Sequence, residues 1–331
     1  MKKIKLGKTD LLVSKLSLGG LFLSSLGLGY EESKLAVQRA FELGINYIDT
    51  APGYADSEIY LGKILERTQY PHYISTKLGG RPVPFNPKNI KHILSCIEES
   101  LRLLKREQID ILFVHEPDRP GQYDWYEDWD NFYGPVNDIL EELKAKGLVR
   151  YTGIAGTTVY EMTRIVERGN YDVLLTAFNY SLLFQEAGQT LIPAAKRQGM
   201  GIVAGSPLQQ GWFSTRYDRT IRDKPPAWLS PQRREQLLCL YDYVDQIGMS
   251  LPELAMRFVL SNPDIDTVLG GARTAKEVEL NVKSIEAGAL DNSVLKDLKK
   301  LARMVPFRPC EEPFIAHFNP EDHYRGAGSL W

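Results

Sequence analysis

The chain has 331 residues, of which 43% are hydrophobic and 25% are charged, a composition typical of a globular protein. Its formal net charge of −2 excludes a general electrostatic attraction to nucleic acid or to an anionic membrane. Three scattered cysteines, Cys96, Cys239 and Cys310, predict neither a disulfide framework nor a zinc site.

The sequence also indicates where the protein resides. The basic residues at positions 1–5 lack the apolar run of a signal peptide, and no apolar stretch approaches the length of a membrane span. We therefore expect a cytoplasmic protein without membrane segments.

Strand and helix patterns alternate along most of the chain. A small β-hairpin over residues 5–13 comes first, followed by a strand over 15–18 that Gly19-Gly20 ends. Further strands are predicted over residues 46–49, 73–76, 109–114, 150–155, 171–177, 201–205 and 267–269. Helices are predicted over residues 31–43, 57–66, 87–104, 135–146, 158–167, 188–198, 231–246, 252–260 and 274–285.

This alternation predicts the fold class. Eight strand-then-helix units with mostly short links indicate one α/β domain over residues 1–331, a closed (β/α)8 TIM barrel with an N-terminal hairpin. No Gly-x-Gly-x-x-Gly motif opens a helix, which counts against a doubly wound nucleotide-binding fold.

Three aromatic-rich stretches interrupt the alternation, at residues 117–134, 212–230 and 306–331. The first two follow the fourth and seventh barrel strands, so both leave the C-terminal face, where the active sites of barrels lie. Long loops in compact domains are usually functional or disordered, and the aromatic content of these loops argues against disorder. We expect these two loops and the C-terminal tail to lie near the active-site face.

Polar residues suited to proton transfer close three successive strands. Asp49 ends the strand over 46–49, Lys77 follows 73–76 and His115 follows 109–114, while Tyr54 lies in the loop after Asp49. Each residue alone has an ordinary structural explanation, such as a core tyrosine or a surface lysine. Because the carboxyl ends of barrel strands meet at one face, their combination predicts a catalytic site.

Five blocks of sequence resemble the aldo-keto reductase family, and the resemblance covers nearly the whole chain. The blocks are 49–54 with Ser57-Glu58 and Leu61-Gly62, 110–115 with Pro117-Asp118, 144–153, 206–208 with Gly211, and 270–273 with Asn281. The resemblance implies a barrel that binds NAD(H) or NADP(H) without a Rossmann domain and interconverts carbonyls and alcohols. It also implies that the catalytic residues are Asp49, Tyr54, Lys77 and His115.

The chemistry of carbonyl reduction suits these four residue types. The reaction needs a hydride from the nicotinamide and a proton for the developing alkoxide. A free tyrosine has a pKa of about 10. A nearby lysine ammonium such as that of Lys77 favours the phenolate, so we expect the pKa of Tyr54 to lie below that value. Asp49 is expected to keep Lys77 charged, and His115 to hydrogen-bond the substrate oxygen.

The resemblance also implies a set of cofactor-binding residues. They are Gly19 and Gly20 near the nicotinamide, Ser206, Pro207, Leu208 and Gly211 at the pyrophosphate, Arg216 over the phosphates, and Gly271, Arg273, Glu277 and Asn281 toward the adenosine. For Arg216 a solvated loop charge is an equally good explanation. For Gly19-Gly20 and Asn281 the alternatives are an ordinary turn and an exposed helical residue.

Three departures from the family pattern affect the cofactor. Ala155-Gly156 and Ala177 replace residues that hold the carboxamide in many members, so Thr157 or Asn179 are expected to contribute instead. Gly205 replaces an aromatic residue that often stacks on the nicotinamide.

The third departure concerns the choice between NAD and NADP. Glu277 stands where many members place an arginine for the 2′-phosphate, which favours NAD weakly, since Arg273 and Lys276 remain available to hold a phosphate. Together, the departures resemble the sugar-dehydrogenase branch of the family. We therefore expect a small-molecule carbonyl or sugar as substrate.

The aromatic loops predict the walls of the substrate pocket. The expected residues are Leu21, Phe22, Trp125, Trp129 and Trp212. Two alternatives remain: a nucleotide-binding, redox-sensing subunit without significant turnover, and a barrel enzyme of metal-assisted hydrolysis or phosphate-sugar chemistry. The histidines lack the spacing of metal ligands, so no metal site is predicted. The sequence leaves the oligomeric state open.

Overall fold

Eight parallel strands close into a barrel in the computed structural model, which describes residues 1–306. The N-terminal hairpin has the strands β1 (Lys3–Lys5) and β2 (Leu12–Ser14). The eight barrel strands are β3 (Leu16–Gly19), β4 (Tyr47–Asp49), β5 (Tyr73–Leu78), β6 (Ile109–His115), β7 (Val149–Gly156), β8 (Val173–Ala177), β9 (Gly201–Gly205) and β10 (Thr267–Gly271). The order around the barrel is β10-β3-β4-β5-β6-β7-β8-β9, so strands that follow one another in the chain are neighbours. This confirms the predicted TIM barrel.

Helices surround the barrel. They are α1 (Tyr30–Glu42), α2 (Ser57–Leu65), α3 (Ile90–Leu104), α4 (Pro135–Ala145), α5 (Val159–Arg168), α6 (Leu191–Arg197), α7 (Asp218–Asp223), α8 (Pro231–Ile247), α9 (Leu251–Leu260), α10 (Ala275–Glu286) and α11 (Asn292–Ala302). Short 3-10 turns lie at Glu186–Gly188 and Gln209–Gly211. Within residues 1–306, no helix combines the length and the apolar character needed to cross a membrane.

The N-terminal hairpin closes one end of the barrel. Strands β1 and β2 pair antiparallel, as predicted, and Leu6, Leu11 and Val13 are buried in the same apolar cluster as the barrel-interior residues Ile111 and Phe113. A larger cluster fills the layer between the strands and the helices. One end of the barrel is therefore filled by apolar side chains, and the polar strand ends gather at the other.

Most predicted boundaries agree with the structure within a few residues, and the differences have local causes. Helix α3 begins at Ile90, three residues later than predicted, because Asn89 caps it and accepts a hydrogen bond from the Lys91 N–H at 3.0 Å. The predicted loop over 212–230 contains the short helix α7, and α11 was not predicted. Residues 307–331, most of the predicted tail, lie outside the described residues.

Candidate active site

Asp49 and Lys77 form a buried ion pair at the C-terminal end of the barrel. Lys77 Nζ in β5 donates to Oδ2 of Asp49, the last residue of β4, at 2.6 Å, and 2% of either side chain is exposed. The ammonium also donates to the Thr50 carbonyl oxygen at 2.8 Å. Burial, the largest single effect, opposes the charged form of Lys77, but Asp49 and Tyr54 together outweigh it and raise the pKa of the lysine. Lys77 is therefore held as a positioned cation.

Ser75 fixes the other carboxylate oxygen of Asp49, a contact that the sequence analysis missed. Ser75 Oγ donates to Asp49 Oδ1 at 2.6 Å and accepts from the Tyr47 hydroxyl at 2.9 Å. Ser75 and Lys77 alternate along β5 with Ile74 and residues that face the helices. Two polar residues at successive inward positions of one strand are the signal that would have identified Ser75.

Tyr54 lies beside this ion pair, in the loop after β4. Lys77 Nζ is 4.7 Å from the centroid of the Tyr54 ring, and the His115 ring lies edge-on at a centroid distance of 6.3 Å. Burial raises the pKa of Tyr54, whereas the Lys77 ammonium lowers it. The lysine acts in the predicted direction, but burial is the larger effect. The pKa of Tyr54 therefore lies above that of free tyrosine in this structure, not below it as expected.

His115, the last residue of β6, completes the group. Its carbonyl oxygen accepts from Trp125 Nε1 at 2.9 Å, which anchors the loop after the strand. Burial, helped by the nearby cations of Lys77 and Arg119, lowers the pKa of His115 well below its usual value. Its buried Nδ1 has no hydrogen-bond partner among residues 1–306. The imidazole is thus neutral at neutral pH, suited to hydrogen-bond a substrate oxygen.

The four residues predicted to be catalytic therefore lie together at the C-terminal end of the barrel. Their catalytic roles stay predictions. The next residue, Glu116, is also buried there, although the sequence analysis did not single it out. Among residues 1–306, no group of three or more His, Cys, Asp or Glu side chains is placed to hold a metal ion.

The tryptophans predicted to form the substrate pocket pack largely against other aromatic rings. Trp125 is fully buried, with its ring 5.7 Å from that of Tyr123, and Tyr123 in turn lies 6.3 Å from the His115 ring. Trp129 packs edge-on against Tyr126 at 5.2 Å. Tyr123 is thus the aromatic residue of this loop that lies beside His115.

The remaining predicted pocket residues come from other loops. Trp212 is 1% exposed and packs against Phe184 and Trp228. Leu21 and Phe22 are half-buried in the loop after β3. The Phe22 ring lies over the end of β10, since a Cβ added to Gly271 would be 3.4 Å from it. Direct contact of these residues with a substrate stays a prediction.

Gly20 fits a close approach between the loop after β3 and the catalytic strand β4. Its N–H donates to the Asp49 carbonyl oxygen at 2.7 Å, and an added Cβ would lie 2.7 Å from that same oxygen. Ser57 Oγ donates to the Gly20 carbonyl oxygen at 2.8 Å. Gly19 is less crowded, since its added Cβ would meet no atom closer than 3.6 Å. Gly20 therefore has a structural role beside the predicted nicotinamide contact.

The next three strands around the barrel end in small inward residues. These are Ala155 in β7, Ala177 in β8 and Gly205 in β9, and the last two are direct partners in the parallel ladder. A Cβ added to Gly205 would lie 3.5 Å from that of Ala177. The departures from the family pattern are therefore adjacent, and they leave room for a flat ring at the mouth of the barrel.

Unpartnered polar atoms lie in the loops that follow β7 and β9. The buried atoms Thr157 Oγ1, Gln209 Oε1 and Gln210 Oε1 have no hydrogen-bond partner within residues 1–306. Asn179 Nδ2 donates to the Thr157 carbonyl oxygen at 2.8 Å, and Gln209 Nε2 donates to that of Phe178 at 2.7 Å. Asn179 and Gln209 thus link the loops after β7, β8 and β9. The residues fit a nicotinamide, whose carboxamide would supply hydrogen-bond donors for such acceptors.

Asp118 explains why no side chain stands at position 156. A Cβ on Gly156 would lie 2.5 Å from Asp118 Oδ1 and 2.3 Å from the Met162 sulfur. Asp118 Oδ2 accepts from the backbone N–H groups of Thr157 and Thr158, at 2.9 and 2.6 Å. The buried aspartate therefore fixes the loop that carries Thr157.

The predicted pyrophosphate turn has an unusual backbone. Ser206, Gln209 and Gln210 have φ values of 55°, 50° and 47°, in the left-handed region that side chains disfavour. Pro207 is buried and Leu208 half-buried, and Gly211 has a φ of 122°. Strain of this kind persists where the surroundings fix the chain, often at binding sites. The phosphate contacts themselves stay predictions.

Arg216 is engaged by carboxylates. Its guanidinium donates to both oxygens of Asp218 at 2.8 Å and to Asp245 at 2.5 Å, and it lies over the Tyr241 ring at 5.0 Å. Arg216 is therefore a loop charge paired with carboxylates, which differs from the solvated charge of the alternative explanation, and its contact with a phosphate stays a prediction.

Arg273 and Glu277 pair with each other at the start of α10. Glu277 accepts from the Arg273 backbone N–H at 2.7 Å and from its guanidinium at 2.8 and 3.1 Å. Asn281, on the same helix, is buried and donates from Nδ2 to the Gly271 carbonyl oxygen at 3.1 Å. The charge of Arg273 is therefore partly compensated by Glu277.

Comparison with known proteins identifies the family. A model of the aldo/keto reductase family matches residues 15–303. L-galactose dehydrogenase from Arabidopsis thaliana is 28% identical over 323 residues, covering 92% of this chain and 96% of the relative. NADH-specific methylglyoxal reductase from Escherichia coli (strain K12) is 26% identical, covering 88% and 95%.

Two further similarities bear on fold and on alternatives. A putative voltage-gated potassium channel subunit beta from Schizosaccharomyces pombe is 26% identical, covering 92% of this chain and 94% of the relative. The solved holo structure of the aldo-keto reductase AKR11C1 from Bacillus halodurans superimposes with a TM-score of 0.73 at 24% identity, over 94% of this chain and 100% of that one. The last similarity bears on the fold alone.

Proposed function

The chain belongs to the aldo/keto reductase family and is a nicotinamide-dependent oxidoreductase that interconverts carbonyls and alcohols, and from that premise we propose that Tyr54 is its proton donor and acceptor, NAD(H) its preferred cofactor and a sugar its substrate. The observation that carries the proposal is the buried Asp49–Lys77 pair beside Tyr54 and His115.

The proposed roles follow from charge and hydrogen bonding. When bound, the nicotinamide supplies the hydride for carbonyl reduction and accepts it in alcohol oxidation. Tyr54 gives its phenolic proton to the alkoxide during reduction, and its phenolate removes the proton from the alcohol during oxidation. Lys77 stabilises that phenolate and Asp49 holds Lys77 in place, while neutral His115 donates a hydrogen bond to the reacting oxygen.

The residues proposed to hold the cofactor lie on the second half of the barrel. Thr157 and Gln209 offer acceptors for the carboxamide, and Asn179 positions the loop that carries Thr157. The turn from Ser206 to Gly211 is proposed to hold the pyrophosphate, and Asn281 the adenine.

The preference for NAD rests on Glu277. Its carboxylate stands at the start of α10 and already occupies the Arg273 guanidinium. A 2′-phosphate would have to compete with this carboxylate for Arg273 and would be repelled by it, whereas a ribose hydroxyl could donate to it. A relative is named as NADH-specific, which supports the proposal.

A sugar substrate is supported by the site and by a relative named as a sugar dehydrogenase. Aromatic rings such as those of Tyr54 and Tyr123 suit the C–H faces of a sugar, and polar groups between them suit its hydroxyls. The test is a panel of aldoses, their alcohols and simple aldehydes, assayed with NAD(H) and NADP(H). Efficient turnover of aldoses with NAD supports the proposal, whereas turnover of hydroxyl-free aldehydes alone contradicts it.

The second candidate is a redox-sensing subunit that binds nucleotide without significant turnover. The similarity to a putative voltage-gated potassium channel subunit beta supports this candidate. The presence of all four residues needed for proton transfer favours the enzyme. The same assay separates the two, because a sensing subunit would bind the nucleotide, seen by fluorescence titration, and turn over none of the panel.

A further inference from the structure

Glu116 is a buried ionisable residue that has no role in the proposed proton transfer. The residue follows His115 directly, is 3% exposed, and its buried Oε2 atom has no hydrogen-bond partner among residues 1–306. Its other oxygen, Oε1, lies 3.5 Å from Arg119 Nη1. Burial of a carboxylate with an unfilled acceptor is unfavourable. Accordingly, burial raises the pKa of Glu116 to about 7.

The backbone at Glu116 is strained and firmly held. Its φ of 47° lies in the left-handed region that residues with side chains rarely adopt. The Glu116 N–H donates to the Ala155 carbonyl oxygen at 2.7 Å, and Trp125 Nε1 holds the preceding carbonyl of His115. Strained positions fixed by their surroundings cluster at functional sites. The direction of the Glu116 side chain is therefore set by the fold.

The electrostatic surroundings of Glu116 place it at the catalytic group. Burial is the main cause of the raised pKa of Tyr54 and of Tyr123, and the negative charge of Glu116 adds to both. The cations of Arg119 and Lys77 lower the pKa of Glu116 against the effect of burial, and Asp118 raises it. Residues from β5, from the loop after β4 and from the loop after β6 thus lie within electrostatic range of this carboxyl group.

We propose that Glu116 is a specificity-determining residue that accepts a hydrogen bond from a substrate hydroxyl other than the reacting one. The inference rests on the sugar substrate proposed above. Above its pKa of about 7 Glu116 is a carboxylate, which only accepts hydrogen bonds, and a bond from a hydroxyl to such a charged group is about twice as strong as a neutral one. A substrate without that hydroxyl leaves the buried acceptor unpaired, so the site discriminates against it.

Geometry supports a hydroxyl close to the reacting centre. Glu116 follows His115 in the chain. Its charge acts on Tyr54, and the charge of Lys77 acts on Glu116. In this proposal one substrate therefore bonds both His115 and Glu116 through two of its oxygens. The Tyr123 ring, 6.3 Å from that of His115, offers an apolar surface to the carbon atoms between. An aldehyde with hydroxyls next to the carbonyl group fits this arrangement.

The test compares glyceraldehyde with propanal, which has the same carbon chain without hydroxyls. Glu116→Gln keeps the shape of the side chain but replaces one acceptor oxygen by a donor. Glu127→Gln, at an exposed glutamate of the same loop, is the matched control. Reduction of both aldehydes, nucleotide affinity and the melting temperature are measured for the three proteins.

For Glu116→Gln we expect kcat/KM for glyceraldehyde to fall about 10- to 100-fold, mainly through KM. Propanal reduction, nucleotide affinity and the Glu127→Gln control should change little. An equal loss for both aldehydes with a lower melting temperature would assign Glu116 a structural role and overturn the inference. So would a variant that keeps the preference of the parent for glyceraldehyde.

A failure of the proposed function can be distinguished from a failure of the inference about Glu116. A parent enzyme that reduces neither aldehyde and oxidises no sugar would contradict the oxidoreductase mechanism itself. A parent that reduces both aldehydes equally well would contradict the sugar substrate and remove the inference with it.

Discussion

Lys77 and Asp49 form an ion pair 2.6 Å long in which 2% of either side chain is exposed. Asp49→Asn keeps the shape but leaves the Lys77 ammonium buried without a counter-ion, which typically costs about 3–5 kcal/mol. We expect chemical denaturation to show a loss of that order in the free energy of unfolding. Glu142→Gln, which breaks an exposed pair with Lys146, is the control, with an expected loss of about 0–1 kcal/mol. Equal losses would mean that the buried pair contributes no more than a surface pair.

The pH dependence of alcohol oxidation should report on Lys77. The proposed base is the phenolate of Tyr54, so the rate should rise with pH as the tyrosine loses its proton. Burial raises the pKa of Tyr54 and Lys77 lowers it, so Lys77→Met removes the opposing effect and should move the rise to higher pH. Rates measured across pH at saturating nucleotide test this. A profile identical to that of the parent would mean that Lys77 does not act on Tyr54.

Cofactor choice should depend on Glu277. Glu277→Gln keeps a similar side chain but releases the Arg273 guanidinium from its charged partner. We expect the ratio of kcat/KM for NADP to kcat/KM for NAD to rise in Glu277→Gln. Adding Arg273→Ala to this variant should lower the ratio again. Glu286→Gln, at the exposed end of the same helix, is the control. An unchanged ratio in Glu277→Gln would place this residue away from the ribose.

Trp125 should stabilise the loop that leaves β6. Trp125→Phe leaves the buried His115 carbonyl oxygen unpaired, a loss of about 1–3 kcal/mol. Trp129→Phe is the matched control, because Trp129 Nε1 donates to the partly exposed Asp124 at 3.1 Å. Urea denaturation should show the larger loss for Trp125→Phe. The reverse order would contradict the anchoring role.

The barrel and the four central residues could be predicted because their signals are local. Short apolar runs, helix-stopping glycines and polar strand ends are each visible within a few positions, and parallel strands bring those ends together. Helix α11 has a local signal as well, since Leu295, Leu298 and Leu301 recur at helical spacing, although no helix was predicted there.

The contacts around the site could not be predicted from the sequence, because they join residues that are far apart in the chain. Whether Arg216 holds a phosphate or a carboxylate depends on Asp245, 29 positions away. Gly156 is explained by Asp118, which belongs to another strand end. The pKa of Tyr54 depends on how far packing removes water, which no motif encodes, so its direction was predicted wrongly. Glu116 was not predicted as a site residue because its burial follows from tertiary packing.

The most direct test of the account is Tyr54→Phe, which removes only the hydroxyl proposed to transfer the proton. Turnover and nucleotide affinity are measured together, the latter by fluorescence titration. Because general acid–base catalysis contributes about 10²–10⁴-fold, we predict that turnover falls by that order while nucleotide affinity stays close to that of the parent. Turnover within a few-fold of the parent would contradict the assignment of Tyr54 as the proton donor and acceptor.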